Sequence, residues 1–255
     1  MILQEPGETG YDLEFKLLGF SVRTHPLFFV LPILLGSGFV KSFSDVNPGI
    51  GMLIVVAVFW ISVLIHELGH SLAFRQFGVH SRIVLYWLGG LAIPERWGGT
   101  RGKNPGSLTP VQRMIVSFAG PLAGLITAAV LCLLVISLKG EFGWIWGFIP
   151  VPSFANSPIP NAGAIHLAFL TGIVLNIFLN LLNLVPIFPL DGGQIVRQWF
   201  ILSNPWNGLK QSLIISMVAC AAMILLSLQM QSFFIAVMFG FIAYSNFMEL
   251  QGPRW

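Results

Sequence analysis

Two histidines and a glutamate interrupt an otherwise apolar run at residues 63–74, VLIHELGHSLAF. On a helix, His66 and His70 are one turn apart, so their side chains project from one face about 5–6 Å apart at Cβ. Two imidazoles placed in this way suit a single metal ion, and Glu67 holds the general-base position of an HExxH pattern. Ionisable groups are costly in a bilayer. We therefore interpret the three as a metal site, with His66 and His70 as ligands, and not as ordinary core residues.

A third ligand is expected because a catalytic zinc site usually has three protein ligands and one open position. Asp191 is the best candidate among the acidic residues, most of which lie in tails or loops. Pro186 and Pro189 break the helix before it, and Gly192-Gly193 permit a tight return of the backbone. The alternative is a turn residue, since Asp-Gly is a common turn signal. With the histidines present, we favour Asp191 as a ligand.

The composition places this constellation in a membrane. Of the 255 residues, 55% are hydrophobic and 9% are charged, whereas soluble domains carry about 25% charged residues. No basic patch of the kind that binds nucleic acid is visible. We expect a polytopic α-helical membrane protein that is one domain over residues 1–255. Its core at 50–200 carries the metal site, residues 201–255 supply two further helices, and no PDZ or other soluble domain is appended.

Six spanning segments are predicted, at about 26–40, 50–74, 114–138, 164–185, 211–228 and 233–248. If the N-terminus is cytoplasmic, eleven Lys and Arg residues lie on the inner side, and only Lys41 and Lys139 lie on the outer side. Positive residues collect on the cytoplasmic side of membrane proteins. Both termini are therefore predicted to be cytoplasmic, in a multi-pass protein of a prokaryotic-type cell membrane. The same topology puts both parts of the metal site on the cytoplasmic side.

The segments outside the spans predict short strands and loops. Residues 79–93 are β-branched and aromatic and predict a strand, a turn at Gly89-Gly90 and a second strand. Residues 15–22 predict one further strand. Residues 98–110 predict a polar loop, and residues 141–163, with Trp144 and Trp146, an outer interfacial loop.

Four motifs together carry a family resemblance. HELGH at 66–70, SFAGPLAGL at 117–125, NLVPIFPLDGG at 183–193 and RIVLYWLGGLA at 82–92 resemble elements of the site-2 protease family of intramembrane zinc metalloproteases. The resemblance covers about residues 15–200. It implies a zinc-dependent endopeptidase that cuts a membrane-protein substrate in or near a transmembrane segment, with one zinc ion per chain.

The resemblance also implies residue roles. His66, His70 and Asp191 match the family's zinc ligands, and Glu67 matches the base that assists attack by a zinc-activated water. Asn183 matches the asparagine that holds the substrate backbone or stabilises the oxyanion.

Two positions depart from the family pattern, and two other asparagines lie close by. Phe188 stands where the family commonly has proline, and Gly124 stands where many members carry asparagine. Asparagine in a membrane helix usually forms hydrogen bonds to neighbouring helices, which is the alternative for Asn183. Asn176 and Asn180 fit that structural interpretation better.

Substrate presentation and the function itself have alternatives. The 79–93 hairpin is hypothesised to capture an extended substrate by strand addition, which proline at Ile83 or Leu85 would test; a structural flap is the alternative. A rival membrane protease class would use Glu249 as third ligand. A non-proteolytic membrane metal-binding protein or transporter is the other rival, although a transporter should show polar residues across the whole membrane.

Overall fold

A computed structural model of the protein describes residues 7–41, 43, 45–87, 89–95, 105–145, 147–154 and 162–252. These residues are mainly helical and include two small sheets. The elements in chain order are β1 (Leu13–Leu17), β2 (Phe20–Thr24), α1 (Val30–Lys41), α2 (Pro48–Gln76), β3 (Ser81–Tyr86), β4 (Gly89–Pro94), α3 (Pro110–Ser137), β5 (Glu141–Ile145), β6 (Ile149–Ser153), α4 (Ala162–Asn183), α5 (Asp191–Ser203), α6 (Gly208–Gln229) and α7 (Phe233–Gln251).

Four helices in the described residues are long and apolar enough to cross a membrane: α2, α3, α4 and α6, with mean hydropathy between 2.0 and 2.5. They coincide with four of the six predicted spans and have the length and apolarity that a span needs. The first predicted span is a short apolar helix over Pro26–Gly38, and the sixth corresponds to α7, so six spans remain a prediction. Helix α5 was not predicted from the sequence; it has 13 residues, and its length of about 20 Å is short for a span.

The larger sheet has the strand order β1-β2-β3-β4. The prediction of one strand at 15–22 was wrong, because the chain reverses at Leu18 and Gly19, which both have positive φ, and forms two antiparallel strands. The 79–93 hairpin is confirmed as β3 and β4. Its turn comes earlier than predicted, since Tyr86 pairs with Gly89 and the glycine pair already belongs to β4.

Strand position changes how strand addition should be tested. Ile83 and Leu85 are fully buried in β3, which pairs with β2 on one side and β4 on the other. Proline there would break the sheet itself and would not report on substrate capture. Within the described residues, β4 is an outer strand of this sheet, so the hypothesis concerns β4.

The first half of the predicted outer loop is ordered as a hairpin. Strands β5 and β6 pair antiparallel, and Gly147 lies in the connection with φ of 75°. Trp144 in β5 is exposed, as an interfacial anchor requires. The remainder of the loop at 155–161, Trp146, and residues 98–104 of the polar loop lie outside the described residues.

The described chain divides into two compact units, one from residues 7–95 and 119–180 and the other from 105–118 and 181–252. The first contains the four-stranded sheet and a core in which Phe59 and Val63 of α2 pack with Ile83 and Leu85 of β3. The second has its core around Ile187, Cys220 and Phe239. Cys220 is fully buried there and acts as a small apolar side chain, as is usual for free cysteine.

Candidate metal centre

Helix α2 positions the two histidines. It runs for 29 residues from Pro48, and the side chain of Asn47 caps it by accepting hydrogen bonds from the backbone of Gly49 and Ile50. His66 and His70 are buried, and their Nε2 atoms lie 3.1 Å apart. Two nitrogens bonded to one tetrahedral zinc at about 2.0–2.1 Å are about 3.3 Å apart. The observed separation is therefore close to that of two nitrogens bound to one zinc ion.

Two glycines, Gly69 of HELGH in α2 and Gly120 of SFAGPLAGL in α3, let α3 approach these histidines. A Cβ atom on Gly69 of α2 would lie 2.4 Å from the carbonyl oxygen of Ala119 in α3. A Cβ atom on Gly120 would lie 2.2 Å from Nε2 of His70, the atom that would bind the metal. Glycine at 120 thus avoids a steric clash between α3 and the His70 ring.

Glu67 lies beneath the start of β4. Its side chain is buried, and a Cβ atom on Gly90 would lie 2.4 Å from its Cγ and 2.5 Å from its Oε1. Only glycine allows the backbone of β4 to approach the carboxylate this closely. The predicted base is therefore covered by the strand that the substrate hypothesis concerns.

Asp191 is the first residue of α5, directly after the proline-containing segment. A Cβ atom on Gly192 would lie 2.1 Å from the carbonyl oxygen of Leu184, and one on Gly193 would lie 2.3 Å from the backbone of Ile187. The predicted tight backbone return is therefore confirmed, and it takes place by close packing of α5 against the segment that precedes it.

Phe188, one of the two departures from the family pattern, is contacted by three other residues. Its backbone N–H donates to Ser216 Oγ at 2.8 Å, and its carbonyl accepts from Asn246 Nδ2 at 2.7 Å. The guanidinium of Arg197 lies 4.6 Å from the centre of its ring, a distance at which a cation–π interaction is favourable. Helices α6 and α7 thus fix the backbone three residues before Asp191.

His66, His70 and Asp191 form a group that could hold a metal ion, since one ligand atom from each lies within 4.8 Å of the others. Glu67 is not part of this group, as expected of a base. Asn183 is the last residue of α4 and is half-buried, and its role stays a prediction. Glu249, the rival third ligand, instead pairs with Arg197 at 3.1 Å.

Three residues next to the candidate site, Gly90, Gly120 and Asn180, were not predicted from the sequence. Oδ1 of Asn180 lies 2.7 Å from Nδ1 of His66, so the interpretation of Asn180 as ordinary helix packing was incomplete. The spacing of Asn176 and Asn180, one helical turn apart like the two histidines, is the signal that could have raised the possibility.

Replacement of Gly120 by alanine is expected to abolish zinc binding or weaken it by at least tenfold, because the new methyl group would occupy the space beside His70 Nε2. Zinc per purified chain checks this. Gly240→Ala in α7 is the matched control, since a Cβ there meets nothing within 4 Å. Equal zinc content in both variants would contradict the expectation.

Comparison with known proteins identifies the family of the chain. The model of peptidase family M50 matches residues 54–226. Two proteins that bear the name zinc metalloprotease are similar to this chain. The one from Methanocaldococcus jannaschii is 27% identical over 200 residues, which are 78% of this chain and 47% of the relative's length. The one from Synechocystis, whose name is qualified as putative, is 32% identical over 166 residues, which are 64% of this chain and 36% of the relative's length. The chain thus spans about half the length, or less, of these curated relatives.

The fold has a counterpart among solved structures. The site-2 protease from Methanocaldococcus jannaschii aligns with a TM-score of 0.54 and 22% identity, over 96% of this chain and 98% of that one. This alignment shows a common fold. Together with a family match that covers more than half of the sequence, it leads to one conclusion: the chain belongs to peptidase family M50, the site-2 protease family that its motifs resemble.

Proposed function

We propose that the protein is a zinc-dependent intramembrane endopeptidase that hydrolyses a peptide bond in or near a transmembrane segment of a membrane protein. The observation that carries this proposal is the group of His66, His70 and Asp191 beside a buried carboxylate, Glu67, that is not one of the ligands. A site that only stores or carries a metal does not require such a carboxylate. The names of the curated relatives support the same reading.

The three ligands suit zinc in their chemistry as well as in their number. Two neutral imidazoles and one carboxylate are a common set for catalytic zinc, with a fourth position left for water. All three come from one chain, which implies one zinc ion per chain. When bound, zinc supplies Lewis acidity and lowers the pKa of water at the site to about 7.

Residues of the chain carry out the proton transfers and bind the substrate. Glu67 takes a proton from the attacking water and returns it to the leaving amine. The amide of Asn183 donates a hydrogen bond to the substrate carbonyl oxygen or holds the substrate backbone, since a donor in a dry site stabilises the charge that develops there. Gly90 leaves room for the Glu67 carboxylate beneath β4.

The membrane placement belongs to the proposal. Four helices have the length and apolarity of spans, and we propose that the chain crosses six times, is one domain, and keeps both termini in the cytoplasm. The excess of Lys and Arg on that side supports this topology. The substrate is then a single-span or other membrane protein, and its bond is reached from the cytoplasmic side.

Metal removal tests the proposal directly. A purified preparation that cleaves a single-span substrate is expected to lose activity on treatment with a zinc chelator and to regain it with zinc. Magnesium should not restore it, because Mg²⁺ prefers oxygen ligands to imidazole. The measurement is the rate at which the cleaved fragment appears. Cleavage that survives complete removal of the metal would refute the proposal.

A further inference from the structure

Asn180 of α4 contacts a proposed metal ligand on the side that faces away from the metal. We infer that Asn180 is a positioning residue for the zinc site, which fixes the orientation of the His66 ring and the nitrogen that carries its proton. The inference rests on the proposed zinc function. It assigns a task to a residue whose type and place otherwise suggest only helix packing.

Hydrogen bonds fix the direction in which the Asn180 amide points. Its Nδ2 donates to the backbone carbonyl of Asn176 at 2.5 Å, and a carbonyl can only accept. Oδ1 must therefore be the atom that faces His66 Nδ1 at 2.7 Å. An amide oxygen also can only accept, so Nδ1 of His66 carries the proton. The lone pair of His66 is thereby left on Nε2, the atom that points at His70.

The Asn180 side chain has little freedom to leave this position. It is 2% exposed, and Gly124 of α3 leaves the space that its amide fills, since a Cβ there would lie 1.9 Å from Nδ2. Position 124 must therefore stay without a side chain for Asn180 to reach His66. The two residues act as a pair across α3 and α4.

The expected consequence is a preorganised ligand. Loss of such an outer hydrogen bond typically weakens metal binding 10–100-fold, because the ring can rotate and the wrong nitrogen can carry the proton. Removal of Asn180 should therefore act on zinc affinity and not only on stability.

Asn176 provides a matched control one helical turn earlier. It is equally buried at 2%, and its Nδ2 donates to Ser62 Oγ of α2 at 2.8 Å. Asn176→Leu removes a buried hydrogen bond between the same two helices. It keeps the backbone carbonyl that Asn180 uses and leaves His66 untouched.

The experiment measures the zinc dissociation constant of the full chain by chelator competition in wild type, His66→Ala, Asn180→Leu and Asn176→Leu, with thermal unfolding measured alongside. We expect both leucine variants to lower the melting temperature, and Asn180→Leu alone to raise the zinc dissociation constant by about 10–100-fold. Gly124→Ala, which displaces the Asn180 amide, should resemble Asn180→Leu.

The outcomes separate this inference from the proposed function. If wild type binds no zinc, or if His66→Ala binds zinc as tightly as wild type, the proposed function fails. If those two behave as expected but Asn180→Leu and Asn176→Leu alter zinc affinity equally, Asn180 is only structural and the inference fails alone.

A measurement on the wild type covers the case in which the leucine variants do not fold. Nitrogen-15 spectra of the histidine-labelled, metal-free chain report which ring nitrogen of His66 carries the proton. We expect the proton on Nδ1. A proton on Nε2 would overturn the inference without any variant.

Discussion

Replacement of Glu67 by glutamine should lower the cleavage rate by about 10²–10⁴-fold while zinc remains bound. A positioned general base typically contributes a factor of this size, and glutamine cannot take the proton. Glutamine is nearly isosteric, which matters because the side chain is buried and lies close against the backbone of β4 at Gly90. The cleavage rate is measured by co-expression with a single-span substrate, and zinc retention is measured as zinc per purified chain.

The matched control is Glu249→Gln. Glu249 is part of an ion pair with Arg197, and a surface pair of this kind contributes about 0–1 kcal/mol. This variant should cleave and bind zinc as wild type does. Loss of zinc in Glu249→Gln would instead favour the rival protease class. Equal cleavage by wild type and Glu67→Gln would show that the proposed proteolytic mechanism is wrong.

Replacement of Asp191 by alanine is expected to remove most of the bound zinc and to abolish zinc-dependent cleavage. The variant leaves two imidazoles where a catalytic zinc site needs three protein ligands. If Asp191 were only a residue of the first turn of α5, its loss would cost about 0.3–1 kcal/mol through the helix dipole and zinc content would not change. Metal analysis and thermal unfolding of the purified variant therefore distinguish ligand from turn.

Asp12→Ala is the control for this second prediction. The Asp12 carboxylate accepts hydrogen bonds from Thr9 and Arg23, so its loss should affect the local structure near β1. It is outside the metal group and should keep its zinc. Normal zinc content in Asp191→Ala would remove Asp191 from the ligand set.

The parts of the site that depend on local spacing could be predicted from the sequence. His66, Glu67 and His70 lie within five residues of one helix, so helical geometry alone relates them. The prediction of Asp191 as a ligand also needed the predicted membrane topology. Two prolines and two glycines beside it indicated that the backbone bends there. His66, His70 and Asp191 form a group that could hold a metal ion, and their roles as ligands stay a prediction.

The missed features depend on contacts between segments far apart in sequence. Gly120 and Gly90 matter because of the side chains that lie against them, and neither neighbour can be deduced from a glycine alone. Asn180 bonds a histidine 114 residues away. The β1–β2 hairpin was missed because its turn at Leu18 and Gly19 interrupts a run of residues that are individually good strand formers.

The hydrogen bonds from α6 and α7 to Phe188 limit how far the chain could be shortened without disturbing the segment before Asp191. Motifs that name the family end at Gly193, and a fragment that stopped after α5 would contain every residue assigned to chemistry. Such a fragment would leave the N–H and carbonyl of Phe188 without Ser216 and Asn246. Asn246 lies beyond the stretch that the family model matches. A gene that kept the motifs and lost α7 would therefore encode all the proposed ligands but lack Asn246, one of the residues that fix the backbone three positions before Asp191.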